Sequence, residues 1–492
     1  MARANPRAYL TAGHLIEVAE TGAMNSSFDA VIIGAGQAGP FLAVRLSEAG
    51  MRVAIVERKL FGGTCVNVGC TPTKTLVASA HAAQLARRAA EFGVVLGGDV
   101  GVDMGRVKAR QDAIVRNQRD GVEQWIRGQP NCTVFQGQAR FLSAHEIQVG
   151  EDRLTADKVF INVGGRANIP ALPGVDQVKT LTNSSLLELD ELPRHLVIIG
   201  GSYIGLEFAQ IYRRFGAQVT VVEMADRLIH REDPDISAAI QAILEAEGVQ
   251  VRTGAECIRF EPRGADICVG VDCEVGEPEI VGSHVLLAVG RRPNTDDLGL
   301  ESAGVEVDKR GYIVVDDALR TTAPGVWAMG DCNGKGAFTH TAYNDFEIVA
   351  GNLLDGQERG VSDRITAYAL FTDPPLGRVG LSEIEARATG KRLLLGSRPM
   401  TQVGRAVEKS ETQGFMKVVV DADTKAILGA AILGTEGDEA IHGILDTMYA
   451  KAPYTTLQRA MHIHPTVSEL IPTLLGELKP LDSKGVRAGP AS

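Results

Sequence analysis

The sequence predicts an α/β protein with two related nucleotide-binding units followed by an α+β unit, and three observations carry that prediction. The order strand, glycine turn, helix, strand, acid occurs twice. In both copies the acid lies 23 residues after the first glycine of its turn. From about residue 365 the pattern changes to strands interleaved with helices. A chain of 492 residues exceeds what one hydrophobic core supports, which suggests about three domains.

In the first copy, residues 28–33 read as a strand entering Gly34-Ala35-Gly36-Gln37-Ala38-Gly39, followed by a helix over 40–49 and a strand over 52–56 that ends at Glu57. Gly34 makes the turn, Gly36 admits a pyrophosphate, and the helix N-terminus stabilises its charge. Glu57 can then accept hydrogen bonds from an adenosine ribose. The second copy runs from a strand at 196–199 into Gly200-Gly201-Ser202-Tyr203-Ile204-Gly205, a helix to Phe215, a strand over 218–222 and Glu223. Ser202 stands where the middle glycine would be, which crowds the backbone approach slightly. A carboxylate at Glu223 pairs with a free 2′-hydroxyl and repels a 2′-phosphate, so NADH is expected over NADPH. Arg227 and Arg231 nearby are read either as a phosphate clamp or as solvated surface charges. The repeat extends to Val159-Phe160-Ile161-Asn162-Val163-Gly164-Gly165-Arg166, echoed by Val285-Leu286-Leu287-Ala288-Val289-Gly290-Arg291-Arg292.

Between these units, residues 103–127 have helical character. Later segments read as a helix over 341–354, strands at 415–420 and 427–433, and helices at 437–450 and 455–461. Residues 1–27 and the polar tail after Leu481 read as flexible extensions. The composition bounds the function. A net charge of −11 argues against general nucleic-acid or anionic-membrane binding, and no apolar run reaches the length of a spanning helix. Seven cysteines make a structural disulfide framework improbable and a cytoplasmic setting the expectation.

Cys65 and Cys70 stand out within Gly62-Gly63-Thr64-Cys65-Val66-Asn67-Val68-Gly69-Cys70-Thr71-Pro72-Thr73-Lys74. Two thiols there can accept the two electrons of a hydride. An ideal helix would hold their Cα atoms roughly 8.6 Å apart, too far for a disulfide, so bonding them demands a local distortion. Gly69 supplies the freedom, and Pro72 is expected to prevent regular helix. The spacing is not that of a zinc ribbon, and no second close pair completes a tetrahedral site. A redox disulfide is the leading reading; two unconnected buried thiols are the plain alternative. Cys268 and Cys273 repeat the spacing without the glycines and are read as strand residues joined by a turn. His464, followed five residues later by Glu469, offers an imidazole oriented by a carboxylate for moving a thiol's proton. A metal site at His462 and His464 lacks further ligands.

These motifs, with Ala328-Met329-Gly330-Asp331 and His464-Pro465-Thr466-Val467-Ser468-Glu469, resemble the class I pyridine nucleotide-disulfide oxidoreductases over residues 28 to about 480. The resemblance implies two Rossmann-like, three-layer dinucleotide-binding domains and a C-terminal α+β dimerisation domain. The implied boundaries are 28–172 and 297–364 for an FAD domain, 173–296 for an NAD(P) domain and 365–481 for the interface domain. It also implies that Gly34, Gly36, Gly39, Glu57, Gly63, Thr64, Lys74, Gly330 and Asp331 serve FAD. Gly200, Gly201, Ser202, Tyr203, Ile204, Gly205, Glu223 and Gly290 would serve NAD(P)H. Cys65 becomes the thiol that meets substrate and Cys70 the thiol against the flavin. Lys74 pairs with Glu207 beside the flavin, and His464 with Glu469 completes the site of the partner subunit in a homodimer.

Phe371-Thr372-Asp373-Pro374 and the cysteine segment look most like mercuric reductase and its relatives. Mercuric reductases also carry a vicinal cysteine pair near the C-terminus, whereas the last cysteine here is Cys332, and the N-terminal C-x-x-C module is missing. The expected activity is electron transfer from NAD(P)H through FAD to the disulfide and on to a soft metal ion such as Hg(II) or Cu(II), or to a small disulfide. Dihydrolipoamide oxidation is the alternative within the family. A flavin-based thiol sensor or complex subunit is the alternative of another class.

Overall fold

Each strand–turn–helix unit of the sequence opens its own sheet in the computed structural model, which describes residues 25–272 and 276–481. The first unit comprises β1 (Asn25–Ile33), α1 (Gly39–Glu48) and β2 (Val53–Glu57). The next segment gives α2 (Gly63–Val68), α3 (Cys70–Arg87) and α4 (Met104–Arg127), the last capped by Asp103, whose carboxylate accepts from the Arg106 N–H. Strands β3 (Cys132–Gln136), β4 (Ala139–Ser143), β5 (Glu146–Val149) and β6 (Asp152–Ile161) complete the first half. The sheet order is β3-β2-β1-β6-β5-β4, with β1, β2, β3 and β6 parallel. Strand β1 starts at Asn25, so residues 25–27, expected to belong to a flexible extension, pair instead with residues 153–155. The rest of that extension, the tail over 482–492 and Cys273 lie outside the described residues.

The chain leaves this sheet through β7 (Gly165–Ala167) and enters the second unit: β8 (Thr180–Leu181), α5 (Asn183–Leu186), β9 (His195–Ile199), α6 (Tyr203–Phe215), β10 (Gln218–Val222), α7 (Pro234–Ala246) and β11 (Gln250–Arg252). An antiparallel layer of β12 (Glu256–Arg263), β13 (Asp266–Asp272) and β14 (Glu279–Gly282) precedes β15 (His284–Leu287). The parallel order is β11-β10-β9-β15-β8. Return is through β16 (Arg291–Pro293), which pairs with β7, then α8 (Leu300–Ala303), β17 (Val326–Ala328) on β6, and α9 (Thr339–Leu354). Strands β2, β9 and β10 and the second half of β1, Ala30 to Ile33, are buried almost throughout, as expected of parallel strands covered on both faces.

The third unit is an antiparallel sheet of β18 (Ala367–Leu370), β19 (Leu376–Gly380), β20 (Leu393–Pro399), β21 (Phe415–Asp421), β22 (Ile427–Leu433) and β23 (Lys479–Pro480), with α10 (Glu383–Ala388) between β19 and β20. Its order is β18-β19-β22-β21-β20-β23. The helix expected over 437–450 is two, Gly437–Ala440 and His442–Tyr449. A buried ionic joint fastens this sheet to the second unit. Arg378 on β19 pairs with Glu232, and the Lys417 ammonium on β21 lies 3.2 Å from Asp233 and 2.9 Å from Asp235. Removing one member of such a joint strands a buried charge, which is why it holds the two units in register.

Candidate active site

The two glycine turns are superimposable in their chemistry. Gly34 has φ +103° and Gly200 φ +114°, and a Cβ on either would lie 2.3 Å from the Asn162 carbonyl oxygen or 2.5 Å from that of Ala288. Gly39 and Gly205 bring their helices equally close: a Cβ would lie 2.2 Å and 2.1 Å from the carbonyl oxygens of Gly34 and Gly200. Only glycine fits these four positions. The acids close the turns in the same way. Glu57 accepts from the N–H groups of Ala35 (2.9 Å) and Lys59 (2.7 Å), and Glu223 from those of Gly201 (2.6 Å) and Ala225 (2.8 Å). Ser202 is exposed at the start of α6, and its side chain caps no helix N–H. Gly290, with φ +105°, faces open space where a Cβ would stand.

At the first cradle, Gly63 approaches so closely that a Cβ would lie 2.8 Å from Gly36 Cα. Asp331 is pressed into the same cleft; burial raises its carboxyl pKa against the pull of Arg291, whose Nε is 3.6 Å away. Gly330 donates its N–H to Asp345 at 2.6 Å. Two residues here escaped the sequence reading. Asn162 Oδ1 accepts from Gly39 N at 2.9 Å while its amide donates to the Met329 carbonyl at 3.0 Å, tying the turn to the end of β17. Its counterpart in the second copy is Ala288, and that departure within an otherwise echoed segment was the available signal. Arg291 donates to the Gly165 carbonyl at 2.5 Å and reaches Thr64 at 3.4 Å.

The cysteines flank the break between α2 and α3. At Gly69 the backbone turns to φ −137°, ψ −115°, and a Cβ would lie 2.8 Å from the Thr64 carbonyl oxygen. The distortion therefore falls on Gly69 alone. Pro72 does not prevent helix, contrary to expectation: α3 starts at Cys70 and carries the proline in its first turn, where an N–H has no partner to lose. Cys65 and Cys70 are free thiols here, hydrogen-bonded to each other. That bond lowers Cys70 to about 6; burial opposes the shift, and the Thr339 hydroxyl, 3.3 Å from its sulfur, and the Lys74 charge add to it. The same bond, with burial, pushes Cys65 far above the ordinary thiol range. Thr339 had no distinguishing sequence signal, since only the fold brings the start of α9 to α3.

Lys74 donates to Glu207 Oε2 at 2.7 Å, joining α3 to α6. The other carboxylate oxygen, Oε1, accepts from Phe371 N at 3.0 Å, and the Phe371 ring lies 4.5 Å from the lysine nitrogen. Near the C-terminus, His464 Nδ1 is 2.9 Å from Glu469 Oε2. The imidazole is 80 % exposed and makes no hydrogen bond to either cysteine of its own protomer. Cys332 is fully buried, its thiol pushed up to about 12 by burial, and Cys268 lies buried on β13.

Residues 28–345 match the pyridine nucleotide-disulphide oxidoreductase family, and residues 366–475 match the dimerisation domain of the same family. The chain belongs to the class I pyridine nucleotide-disulfide oxidoreductases. Members of this family bind FAD and use NAD(P)H, and the two glycine cradles, each a tight turn onto a helix N-terminus closed by an acid, fit two dinucleotides. Within the family, the chain is 37 % identical over 462 residues to a probable pyridine nucleotide-disulfide oxidoreductase, RclA of Escherichia coli, covering 92 % of this chain and all of that one. The solved structure of RclA, described as the Cu(II) complex of a HOCl-induced flavoprotein disulfide reductase, matches with a TM-score of 0.83 at 36 % identity over 91 % of this chain and 99 % of that one. A dihydrolipoyl dehydrogenase from Chlamydia muridarum is 32 % identical, covering 91 % of this chain and 96 % of its own. A mercuric reductase from Bacillus cereus is 31 % identical, covering 89 % of this chain and 71 % of its own. No helix among the described residues is long and apolar enough to cross a membrane.

Proposed function

We propose that this flavoprotein disulfide oxidoreductase passes the electron pair of NADH to the Cys65–Cys70 pair and from there to a thiophilic metal ion, Cu(II) or Hg(II). The observation that carries the reading is the polarised thiol pair, with Cys70 held toward thiolate next to Lys74–Glu207 and Cys65 kept protonated. FAD, when bound, supplies the relay between the nicotinamide and the sulfurs, and Gly34, Gly36, Gly39, Glu57, Gly63, Thr64, Lys74, Gly330 and Asp331 would hold it. Gly200, Gly201, Ser202, Tyr203, Ile204, Gly205, Glu223 and Gly290 would hold the nicotinamide nucleotide. Soft cysteine sulfur favours a thiophilic cation, and the RclA relative has been solved with Cu(II). The balance is NADH + Hg(II) → NAD⁺ + Hg(0) + H⁺, or NADH with two Cu(II) giving two Cu(I). In each case the dithiol is reoxidised to the disulfide.

NADH is the preferred donor because both oxygens of Glu223 are fixed by backbone N–H groups, while Arg227 is turned onto Asp226 and the His230 carbonyl. The interface unit would pair two copies, with His464 and Glu469 serving the partner's thiols. Met461 and Ile463 are 99 % and 80 % exposed on one protomer, apolar side chains beside the exposed His464 that a second copy would cover. The sparse cysteines favour a cytoplasmic setting.

One observation favours a second reading: the His464–Glu469 pair suits removal of a proton from a dithiol such as dihydrolipoamide. The two are separated by measuring NADH oxidation with Cu(II) and Hg(II) beside NAD⁺ reduction by dihydrolipoamide. Metal-dependent NADH oxidation that is lost in Cys65→Ser is expected. Strong activity with dihydrolipoamide alone overturns the metal reading.

A further inference from the structure

Two side-chain rungs join α3 to α6, beside the bond from Arg87 Nη1 to the Arg214 carbonyl at 2.6 Å. Lys74 and His81 are seven residues apart on α3, and Glu207 and Arg214 seven apart on α6, so each pair lies on one helix face two turns apart. The first rung is Lys74–Glu207. In the second, His81 Nδ1 lies 2.8 Å from Asp373 Oδ2, which also accepts from Arg214 Nη1 at 2.5 Å. Asp373 and Phe371 belong to one short strap that enters between the helices from β18. Phe371 holds the first rung, through its N–H on Glu207 and its ring beside Lys74. Asp373 holds the second. Between them Gln210 fixes the strap backbone, donating to the Asp373 carbonyl at 2.8 Å and accepting from its N–H at 2.7 Å.

We infer that His81 is a positioning residue of the redox site: through Asp373 it seats the strap that sets Lys74 against Glu207, and its proton makes that seating depend on pH. This inference rests on the proposed roles of Lys74 and Cys70.

The charges around His81 give the direction. Asp373 faces it from the strap and Arg214 from α6, with Glu247 beyond, bound by Arg214 through both carboxylate oxygens at 2.7 and 2.8 Å. Glu411, paired with Lys409, faces it from the interface unit. The hydrogen bond to Asp373 raises His81, against burial and the Arg214 charge. Burial would raise Asp373, yet His81 and Arg214 together hold it well below the usual carboxylate range. A group raised on folding contributes stability that is full below its ordinary range and is lost as pH rises through the raised value. The His81 side chain is 47 % exposed, so its proton exchanges with solvent while Arg214, 6 % exposed, stays charged. As pH rises the strap therefore keeps its Arg214 anchor on α6 and loses the charged one on α3. Gln210 still fixes the strap backbone, so Lys74, on that same face of α3, is held less firmly against Glu207 and Phe371.

The test uses FAD-loaded protein reduced with one equivalent of NADH under nitrogen, reading the long-wavelength absorbance of thiolate–flavin contact from mildly acidic to alkaline pH. The native band is expected to rise as Cys70 ionises and to fall again as His81 loses its proton. His81→Gln should lower the neutral-pH band by about threefold or more, within the range of coupling carried through packed side chains, and abolish the falling limb. His81→Lys, which keeps a cation opposite Asp373, should restore the band and hold it at high pH. Alkylation of Cys70, followed by mass spectrometry, should change in parallel. A His81→Gln profile that tracks the native one overturns the inference and leaves the proposed function standing, as does a His81→Lys variant that fails to restore the band. If His81→Gln does not fold, the native profile decides alone, and a band without a falling limb overturns the inference. A native protein without the band at any pH overturns the proposed function and the inference together.

Discussion

Cys70 and Cys65 share one proton unequally, and the inequality is what makes a dithiol usable at neutral pH. A thiolate, not a thiol, is the nucleophile and the soft ligand. With Cys70 near 6 and Cys65 far higher, the reduced pair at neutral pH is a thiolate beside a thiol. The rate of Cys70 alkylation by iodoacetamide in the reduced protein is therefore expected to be half-maximal near pH 6, with Cys65 reacting later. Lys74→Met removes a cation that lowers Cys70, so the midpoint should move up and labelling below it should slow by up to about tenfold for each unit moved. An unmoved midpoint would show that the Cys65 hydrogen bond suffices. At the other cradle, Glu223→Gln keeps one oxygen acceptor and loses the charge that discriminates against a 2′-phosphate. The expected result is a KM for NADH raised about tenfold, the scale of a hydrogen bond to a charged group, and a gain in NADPH use. An unchanged NADH/NADPH ratio would place the discrimination elsewhere.

At the scale of the element, the break at Gly69 shows why sequence could locate the redox segment but not draw it. The pairing of two thiols five residues apart demanded a distortion, and the only glycine between them marked where it would fall. What the sequence did not reveal is that Pro72 sits inside the first turn of α3, because a proline is compatible with a helix start and hostile to a helix interior, and the boundary had to be known first. The same limit blurred other helix ends, such as the division of residues 437–450 into two short helices. Gly69→Ala would drive a Cβ to 2.8 Å from the Thr64 carbonyl oxygen, a backbone atom that cannot swing away. A loss of about 1–3 kcal/mol in urea unfolding is expected, as for other overpacked sites. Slower oxidation of the dithiol by glutathione disulfide should accompany it, because relief of the clash separates α2 from α3. Retained stability with native oxidation kinetics would mean that the break is not fixed by this approach.

Across the whole molecule, local repeats were legible and long-range meetings were not. Both glycine turns, both acids and the cysteine segment lie in short stretches of sequence, and the folded chain places each turn between a strand and a helix, while the cysteine segment departs from its reading by starting a helix at Cys70, ahead of Pro72. Asn162, Thr339, His81 and Asp373 matter through partners more than 100 residues away, and Arg291 bonds Gly165 across a similar gap, which no local pattern records. Lys74 and Glu207, 133 residues apart, were joined beforehand only through the family resemblance. The longest meeting is the proposed one, between the thiols of one copy and the imidazole of another. His464 is turned outward on its own subunit, oriented by Glu469 and bonded to neither thiol. If each site takes its sulfurs from one copy and its imidazole from the other, Cys65→Ser and His464→Gln homodimers should both be nearly inactive. A two-fold pair built from one of each then contains one site with both defects and one with none. Unfolding and refolding the two variants together at equal amounts should yield about half mixed dimers, each with one working site of two, and so recover about a quarter of native activity. Such recovery cannot arise if sulfur and imidazole act within one chain, because every site would then carry one of the two lesions. A mixture as inactive as its parents, with mixed dimers verified by differently tagged subunits, would remove His464 from the partner's site.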